Sequence, residues 1–480
     1  MKHATRAWLV VFALLWLAGT LRVFALWSHE PLHAYANSYD QTRYTNCFGF
    51  HPDRPPEVPP QQNNPQAPFA KFRFIESGDP MCYWSSELAF TGASALAWRI
   101  GEAFGSAGPH DVRLVGVLRW AALLALSVAF SLAWWRRGEP RAALANALLV
   151  PLLFADPANT LFLDTFYAEW TALLAAYALV AAILLWRDAP FARRRFALLA
   201  LAAFALATAK IQHLLLPGAI ALALFALDRA RLGRTGWRAI ALAFGAFAGF
   251  WLQFVQLQRD DAMMDAIDQY NRADVLFTAL LPASSDPQAL LVELGVDPQC
   301  ARYGGLHAWE LPAMPEQACA GFAGFGRGDQ LLALARHPRI ALSLAWRGVR
   351  ALDPWLAREI GHVEGGTFEL APAMRSSLDR ALHAAPTLHL AVLAAPLAAV
   401  LVLPWGITFR RGSRALEYAV LCAIVMLATL AVTVLGDGLA DVAKQGHLVT
   451  NAALAWLFAS LAVVVAGIGA RDTRGEKRKA

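Results

Sequence analysis

FALLALAAFALATAKIQHLLLPGAIALALFAL, residues 196–227, has Arg193, Arg194 and Arg195 in front of it and Arg229, Arg231, Arg234 and Arg238 behind it. A bilayer crossing takes about 20 apolar residues, so the stretch is too long for one span and too short for two full ones. Lys and Arg are retained on the cytoplasmic face of a membrane, and a single span would put the two Arg clusters on opposite sides. A hairpin of two short helices, with Lys210, Gln212 and His213 at a turn below the outer surface, returns both clusters to one side. This reading sets the parity of the whole chain.

Working outward, the polar gaps are of two alternating kinds. The short ones are Arg-rich: Arg136, Arg137 and Arg141; Arg193 to Arg195; Arg229 to Arg238; Arg410, Arg411 and Arg414; and the tail Arg471 to Lys479. The others include two long segments, 28–111 and 257–388, which hold most carboxylates and four of the five cysteines. Candidate spans lie at about 8–27, 114–135, 142–163, 170–186, 196–210, 212–227, 239–256, 389–407, 415–435 and 448–469. With both termini inside, these ten spans leave every Arg-rich gap cytoplasmic. The expected fold is an all-α polytopic membrane protein. Its parts are a first helix (1–27), an extracytoplasmic loop with interfacial helices (28–111), helices two to seven (112–256), an extracytoplasmic domain (257–388), the last three helices (389–470) and a basic cytoplasmic tail (471–480).

Composition agrees. At 57% hydrophobic and 16% charged residues, with mean hydropathy +0.41, the chain is too apolar for an ordinary soluble domain. A net charge of +6 would suit nucleic acid, but the basic residues sit in the short gaps with no stripe of interleaved aromatics, so nucleic acid is not expected as a partner. The first apolar stretch carries Arg22 and is long for a signal peptide, so it is read as a retained span. Cys47 shares the first long loop with Cys82, and Cys300 shares the second with Cys319. Two extracytoplasmic disulfides are expected, with free thiols the alternative. No Asn-x-Ser/Thr acceptor occurs, which favours a bacterial inner membrane over the endoplasmic reticulum.

Within the first loop, Pro55 to Pro68 reads as an exposed excursion of polyproline character, and 84–108 as an interfacial helix pair. The glycines at 321, 324, 326 and 328 lack the strand and the Lys-Ser/Thr of a phosphate cradle and read as a flexible loop. Residues 330–352, apolar and basic and interrupted at Pro338, suit a bilayer surface.

The cytoplasmic gaps are too short for a nucleotide-binding domain, and no Walker motif or GxGxxG helix start is present. Outside the cytoplasm neither ATP nor a nucleotide sugar is at hand. Transfer chemistry there needs an activated group on another carrier, and a lipid phosphate sugar is the natural one.

Three short stretches and the overall layout resemble the GT-C superfamily of polyprenyl-phosphate-sugar-dependent glycosyltransferases, in its bacterial branch. They are Asn37-Ser38-Tyr39-Asp40-Gln41, Asp164-Thr165-Phe166-Tyr167-Ala168-Glu169 and Ala209-Lys210-Ile211-Gln212-His213. The closing loop, Gly436-Asp437-Gly438 through Asp441, Lys444 and His447, is also similar to that of bacterial members. The better-known members often carry two adjacent acids in the first loop, whereas Asp40 stands alone.

The resemblance implies transfer from a polyprenyl-phosphate sugar to an envelope glycan, lipid or protein, with inversion. Asp40 is the candidate base for an attacking hydroxyl, an effect of about 10²–10⁴ in rate. The leaving phosphate needs stabilising charge, which gives roles to Lys210, Arg22, Lys444 and His447, with His213 and Gln212 beside them. Asp164 and Glu169 are expected to hold hydroxyls or to ligate a divalent cation such as Mg or Mn. Each has a plainer alternative: Asp40 as a solvated loop residue, Glu169 as a favourable charge at a helix start, Arg22 and Lys210 as snorkelling side chains, and the 437–447 loop as a surface salt-bridge network. His29, His33 and His51 lack metal-ligand spacing. A transporter or flippase of lipid-linked glycans is the alternative function, although no internal repeat supports it. A scaffold would leave Lys210 and Asp40 without a purpose.

Overall fold

The computed structural model describes residues 2–30, 32–33, 38–53, 70–75, 81–106, 108–233, 235–259, 262–357, 360, 375–403 and 413–476. Six described helices are long and apolar enough to cross a membrane: Arg6–Trp27, Arg113–Arg136, Ile211–Leu232, Trp237–Leu257, Arg414–Asp437 and His447–Ala466. A pair bent by 103°, Ser377–Ala384 and Pro386–Val402, makes a seventh if it is one span. The membrane body is therefore helical and polytopic. Pro140–Phe154 and Glu169–Leu185 are shorter apolar helices. The stretch 142–163 is not the single helix expected: its last turn, Val150–Phe154, widens to a π-turn containing Pro151, which has no N–H to give. The chain then passes through a short helix, Pro157–Thr160, capped by Asp156, before Glu169 starts the next long one.

The decisive hairpin forms. Arg193–Ala209 ends where Lys210 adopts extended backbone angles (φ −152°, ψ 149°), and one tight turn, Ile211–His213, leads into Leu216–Leu232. The following helix, Trp237–Leu257, lies against the first arm in the same direction. Gly245 meets Ala200 and Gly249 meets Ala207, so closely that a Cβ at Gly245 would lie 2.1 Å from the Ala200 carbonyl oxygen. This is the small-xxx-small close approach of membrane helices. Asp228, late in the second arm, accepts from Arg238 at the start of the next helix (2.7 Å), which fixes the second arm as antiparallel.

Because of that parity the Arg-rich gaps meet at one end of the bundle. Arg414 pairs with Glu139 and, at 3.0 Å, with Asp188. Arg231 reaches Asp188 at 3.1 Å, and Arg187 and Arg238 share Glu417 at 2.8 and 2.6 Å. Gaps far apart in sequence thus form one ion-paired layer.

At the other end sit the two long segments. The first holds a small antiparallel sheet that hydropathy did not reveal, of Phe50–Pro52, Lys71–Phe74 and His110–Asp111, with Phe50 opposite Phe74. Its strands are too short to show alternation. They are held by an aromatic core in which Phe50 meets Trp98 at 5.1 Å and Phe72 meets Phe166 at 4.9 Å. The expected interfacial helix pair is one helix, Leu88–Ala103, and the excursion from Pro55 to Pro68 lies outside the described residues. Both expected disulfides are present, Cys47–Cys82 and Cys300–Cys319, and Cys422 is free and buried.

The second segment is a packed set of short helices. The expected bilayer-surface stretch is two helices, Arg327–Arg336 and Pro338–Arg350, broken at His337. The glycine run is not a loose loop, for it forms a turn at Phe322–Gly324 and the cap of the next helix, where the Gly326 N–H donates to Asp329. This domain docks on the end of Arg414–Asp437. The Leu439 N–H donates to the Thr278 hydroxyl (2.8 Å), and Arg327 donates to the carbonyls of Leu435 and Gly436 at 2.9 and 3.0 Å.

Candidate functional site

Four separate pieces of chain meet at the end of the bundle opposite the arginine layer: the helix Ser38–Thr45, the turn from Asp164 to Glu169, the break at Lys210–His213 and the loop from Asp437 to His447. Each is fixed from behind. The turn is gripped by Arg119, fully buried on the helix Arg113–Arg136. Its guanidinium donates to the carbonyls of Phe162, Leu163, Thr165 and Tyr167 at 2.7, 3.0, 2.6 and 3.0 Å. Glu87 neutralises it at 2.5 Å and accepts from Thr171. Burying such a charge is tolerable only with this degree of satisfaction.

The first loop is tied to the same place. The Gln41 side chain accepts from the Phe166 N–H (3.0 Å), and Tyr83 donates to Gln253 (2.8 Å). Ser85 and Ser86 donate to the carbonyls of Ala209 and Ala205 at 2.6 and 2.7 Å, which anchors the helix end where Lys210 emerges.

Lys444 stands at the centre, on the short helix Val442–Gln445, with its side chain only 2% exposed. Its ammonium lies 2.5 Å from Asp441, 3.3 Å from Asp40 and 5.1 Å above the Tyr167 ring. Burial alone would make it easier to deprotonate, but Asp441, Tyr167 and Asp40 outweigh that and hold its pKa well above the ordinary lysine value, so it stays charged. Asp40 also accepts from Arg43, one helical turn on.

The second pair is Lys210 and Glu169, at 2.8 Å, with side chains 13% and 1% exposed. The other Glu169 oxygen is buried without a hydrogen-bond partner, as are both ring nitrogens of His213. Buried polar atoms are normally satisfied, so these, like both ring nitrogens of His447, are open to a further hydrogen bond. His447 packs on Phe162 at 5.3 Å, and Gln212 donates to Gln445, which donates to Asp437.

Of the residues singled out in the sequence, Asp40, Glu169, Lys210, Gln212, His213, Lys444 and His447 come together. Two do not. Arg22 points to the break after Pro140–Phe154, donating to the Pro151 carbonyl (2.9 Å) and pairing with Asp156 at 2.6 Å. Asp164 accepts from the Trp27 indole against Gly116, so the turn bends its carboxylate away from that of Glu169. Desolvation there raises Asp164 to about 7. Among the described residues no group of three His, Cys, Asp or Glu side chains is arranged to hold a metal ion. Asp40 and Asp441 are both paired with the Lys444 ammonium, and Asp40 with Arg43 as well.

Arg43, Tyr167, Gln445 and the Glu87–Arg119 pair were missed. Arg119 had a legible signal, a charge in the middle of an apolar span. Arg43 had the three-residue spacing from Asp40 on a helix.

A family model described as the YfdI N-terminal transmembrane domain matches residues 111–479, well over half of the chain. This chain belongs to that family. No curated protein and no solved structure matches it. The YfdI-type domain contains Arg119, Glu169, Lys210 and the whole loop around Lys444, whereas Asp40 and the Cys47–Cys82 disulfide precede it. Asp40, from the first loop, thus meets Lys444 from within the matched residues.

Proposed function

We propose that this membrane protein is an inverting glycosyltransferase that moves a sugar from a polyprenyl-phosphate donor to an extracytoplasmic acceptor, an envelope glycan, lipid or protein. The observation that carries this reading is the meeting of Lys444 and Lys210 with Asp40 and Glu169 at the end of the bundle remote from the arginine layer. The arginine layer is taken as cytoplasmic by the retention of positive charge, so the cluster faces the outside. The chain then crosses a bacterial inner membrane ten times, with both termini inside.

In this reading the acceptor hydroxyl approaches Asp40, which takes its proton as the oxygen attacks the anomeric carbon. The bond to the phosphate breaks in the same displacement, which inverts the centre. Lys444 and Lys210, with side chains only 2% and 13% exposed, receive the charge that develops on the leaving phosphate. The unpartnered oxygen of Glu169 and the ring of His213 bond sugar hydroxyls. A Mg or Mn ion would first have to displace Lys444 from Asp40 and Asp441.

The test is transfer from a panel of polyprenyl-phosphate sugars by the full-length protein in vesicles. Asp40→Asn should lower turnover by about 10²–10⁴ with normal folding, and undiminished transfer would remove Asp40 as the base. A transporter or flippase would form no glycosylated product with any donor.

A further inference from the structure

A second cavity opens at the arginine end and runs through the bundle towards the first site. A cavity of about 700 Å³ runs between the helices Pro140–Leu149, Glu169–Leu185, Arg414–Asp437 and His447–Glu476. On the last of these its lining extends from Leu448 to Val464, a depth of roughly 24 Å at 1.5 Å per residue. An enclosed apolar void of roughly 150 Å³ already takes up a benzene-sized ligand, and this one is several times larger. The surrounding bilayer supplies molecules that fit.

The wall is mostly apolar. Tyr177 donates to Asn146 (2.9 Å), Asn146 donates to Ser131 (2.9 Å) and Asn451 exchanges hydrogen bonds with Asn159, so these polar groups are engaged within the protein. The mouth differs. It is bordered by Glu139, Arg141 and Arg414 in the arginine layer, with Arg136 and Arg137 next in sequence. Glu139 and Asp188 are both engaged by Arg414. Of the charged groups that line the mouth, Arg141 and Arg414 outnumber Glu139, an excess of one positive charge.

We propose that this cavity binds an anionic glycerophospholipid of the leaflet on the arginine side, with one acyl chain in the cavity and the phosphate at Arg141 and Arg414. A polyprenyl-phosphate donor seated the same way would have its phosphate at the wrong end of the bundle, far from Lys444 and Lys210. This assignment does not depend on the glycosyltransferase reading.

The experiment frees the full-length protein of lipid and then gives it phosphatidylglycerol or phosphatidylcholine in detergent. Retained lipid is identified by native mass spectrometry. Phosphatidylglycerol should be retained at a lower concentration than phosphatidylcholine. Arg141→Gln, at an exposed position, should cut that preference about fivefold, the contribution of one basic residue at an anionic surface. Ala452→Trp, filling the cavity, should abolish lipid retention while the disulfides and thermal unfolding stay normal. Equal retention of the two lipids, no effect of Arg141→Gln, or retention of a polyprenyl phosphate in place of phospholipid would each overturn the proposal. None of these readouts uses transfer activity, so they stand or fall apart from the reaction proposed above.

Discussion

The pair Lys210–Glu169 can be tested by a double-mutant cycle that separates holding the fold from holding the donor. The charges lie 2.8 Å apart with side chains 13% and 1% exposed. At an effective dielectric constant of about 20 their attraction is roughly 6 kcal/mol, but taking each ion from water costs several kcal/mol, so the intact pair contributes little net stability. Removing one partner is another matter. Lys210→Met strands a buried carboxylate whose second oxygen already lacks a partner, and should destabilise by about 3–5 kcal/mol. Glu169→Gln alone strands the ammonium, at a smaller cost because Lys210 is the more exposed of the two. The double variant Lys210→Met, Glu169→Gln leaves no stranded charge and should return most of the lost stability, a coupling of up to about 3 kcal/mol. Stability is read from thermal unfolding in detergent, followed by tryptophan fluorescence. Transfer is read as KM for the polyprenyl-phosphate donor and as kcat. A charged hydrogen bond to phosphate is worth about 1.5–3 kcal/mol, so the double variant should recover its fold yet keep a donor KM raised by roughly tenfold to a hundredfold. A double variant with wild-type stability and wild-type KM would reduce the pair to a structural brace and refute the role given to Lys210.

Three further outcomes follow from particular contacts. Burial and the neighbouring Asp437 raise Asp274 to about 8, where it accepts from the Ala308 N–H at 2.8 Å with Asp441 and Glu310 near. The folded state therefore holds this proton more tightly than the unfolded one, so its contribution to stability is full below about pH 4 and is lost as pH rises towards 8. Asp274→Asn should flatten that limb of a thermal-unfolding profile against pH, and an unchanged slope would count against the raised value. Breaking Cys300–Cys319 with Cys300→Ala releases a loop of sequence separation 19 and should cost about 3 kcal/mol, measured as a lower unfolding temperature under non-reducing conditions. At Gly245 a methyl group would meet the Ala200 carbonyl at 2.1 Å, and backbone cannot yield as a side chain can. Gly245→Ala should cost roughly 1–3 kcal/mol, whereas Gly218→Ala, in open space, should cost far less.

What the chain disclosed in advance was governed by range. Parity was legible because charge retention acts on each gap separately, and the hairpin at 196–227 needed only local arithmetic of length and charge. The cysteine pairs were legible because each pair shares a loop. The sheet in the first loop was not, since its strands are only two to four residues long and its core is completed by Phe166 from another segment. The candidate site divides along the same line. Lys210 and Lys444 stood out as basic residues beside apolar spans, and both are at the cluster. Arg22 stood out for the same reason, yet it serves Asp156 and the carbonyl of Pro151 at a helix break that hydropathy passed over. A cation in a span announces that it has a partner, and only the packing decides whether that partner is a carboxylate of the wall or the phosphate of a substrate. Lys444 and Lys210 also have partners within the protein, so charge alone does not separate them from Arg22. What separates them is the unsatisfied oxygen of Glu169 and the unpartnered ring of His213 beside Lys210: Arg22 and Asp156 close a break in the backbone, whereas the lysines border groups that still lack something to bond.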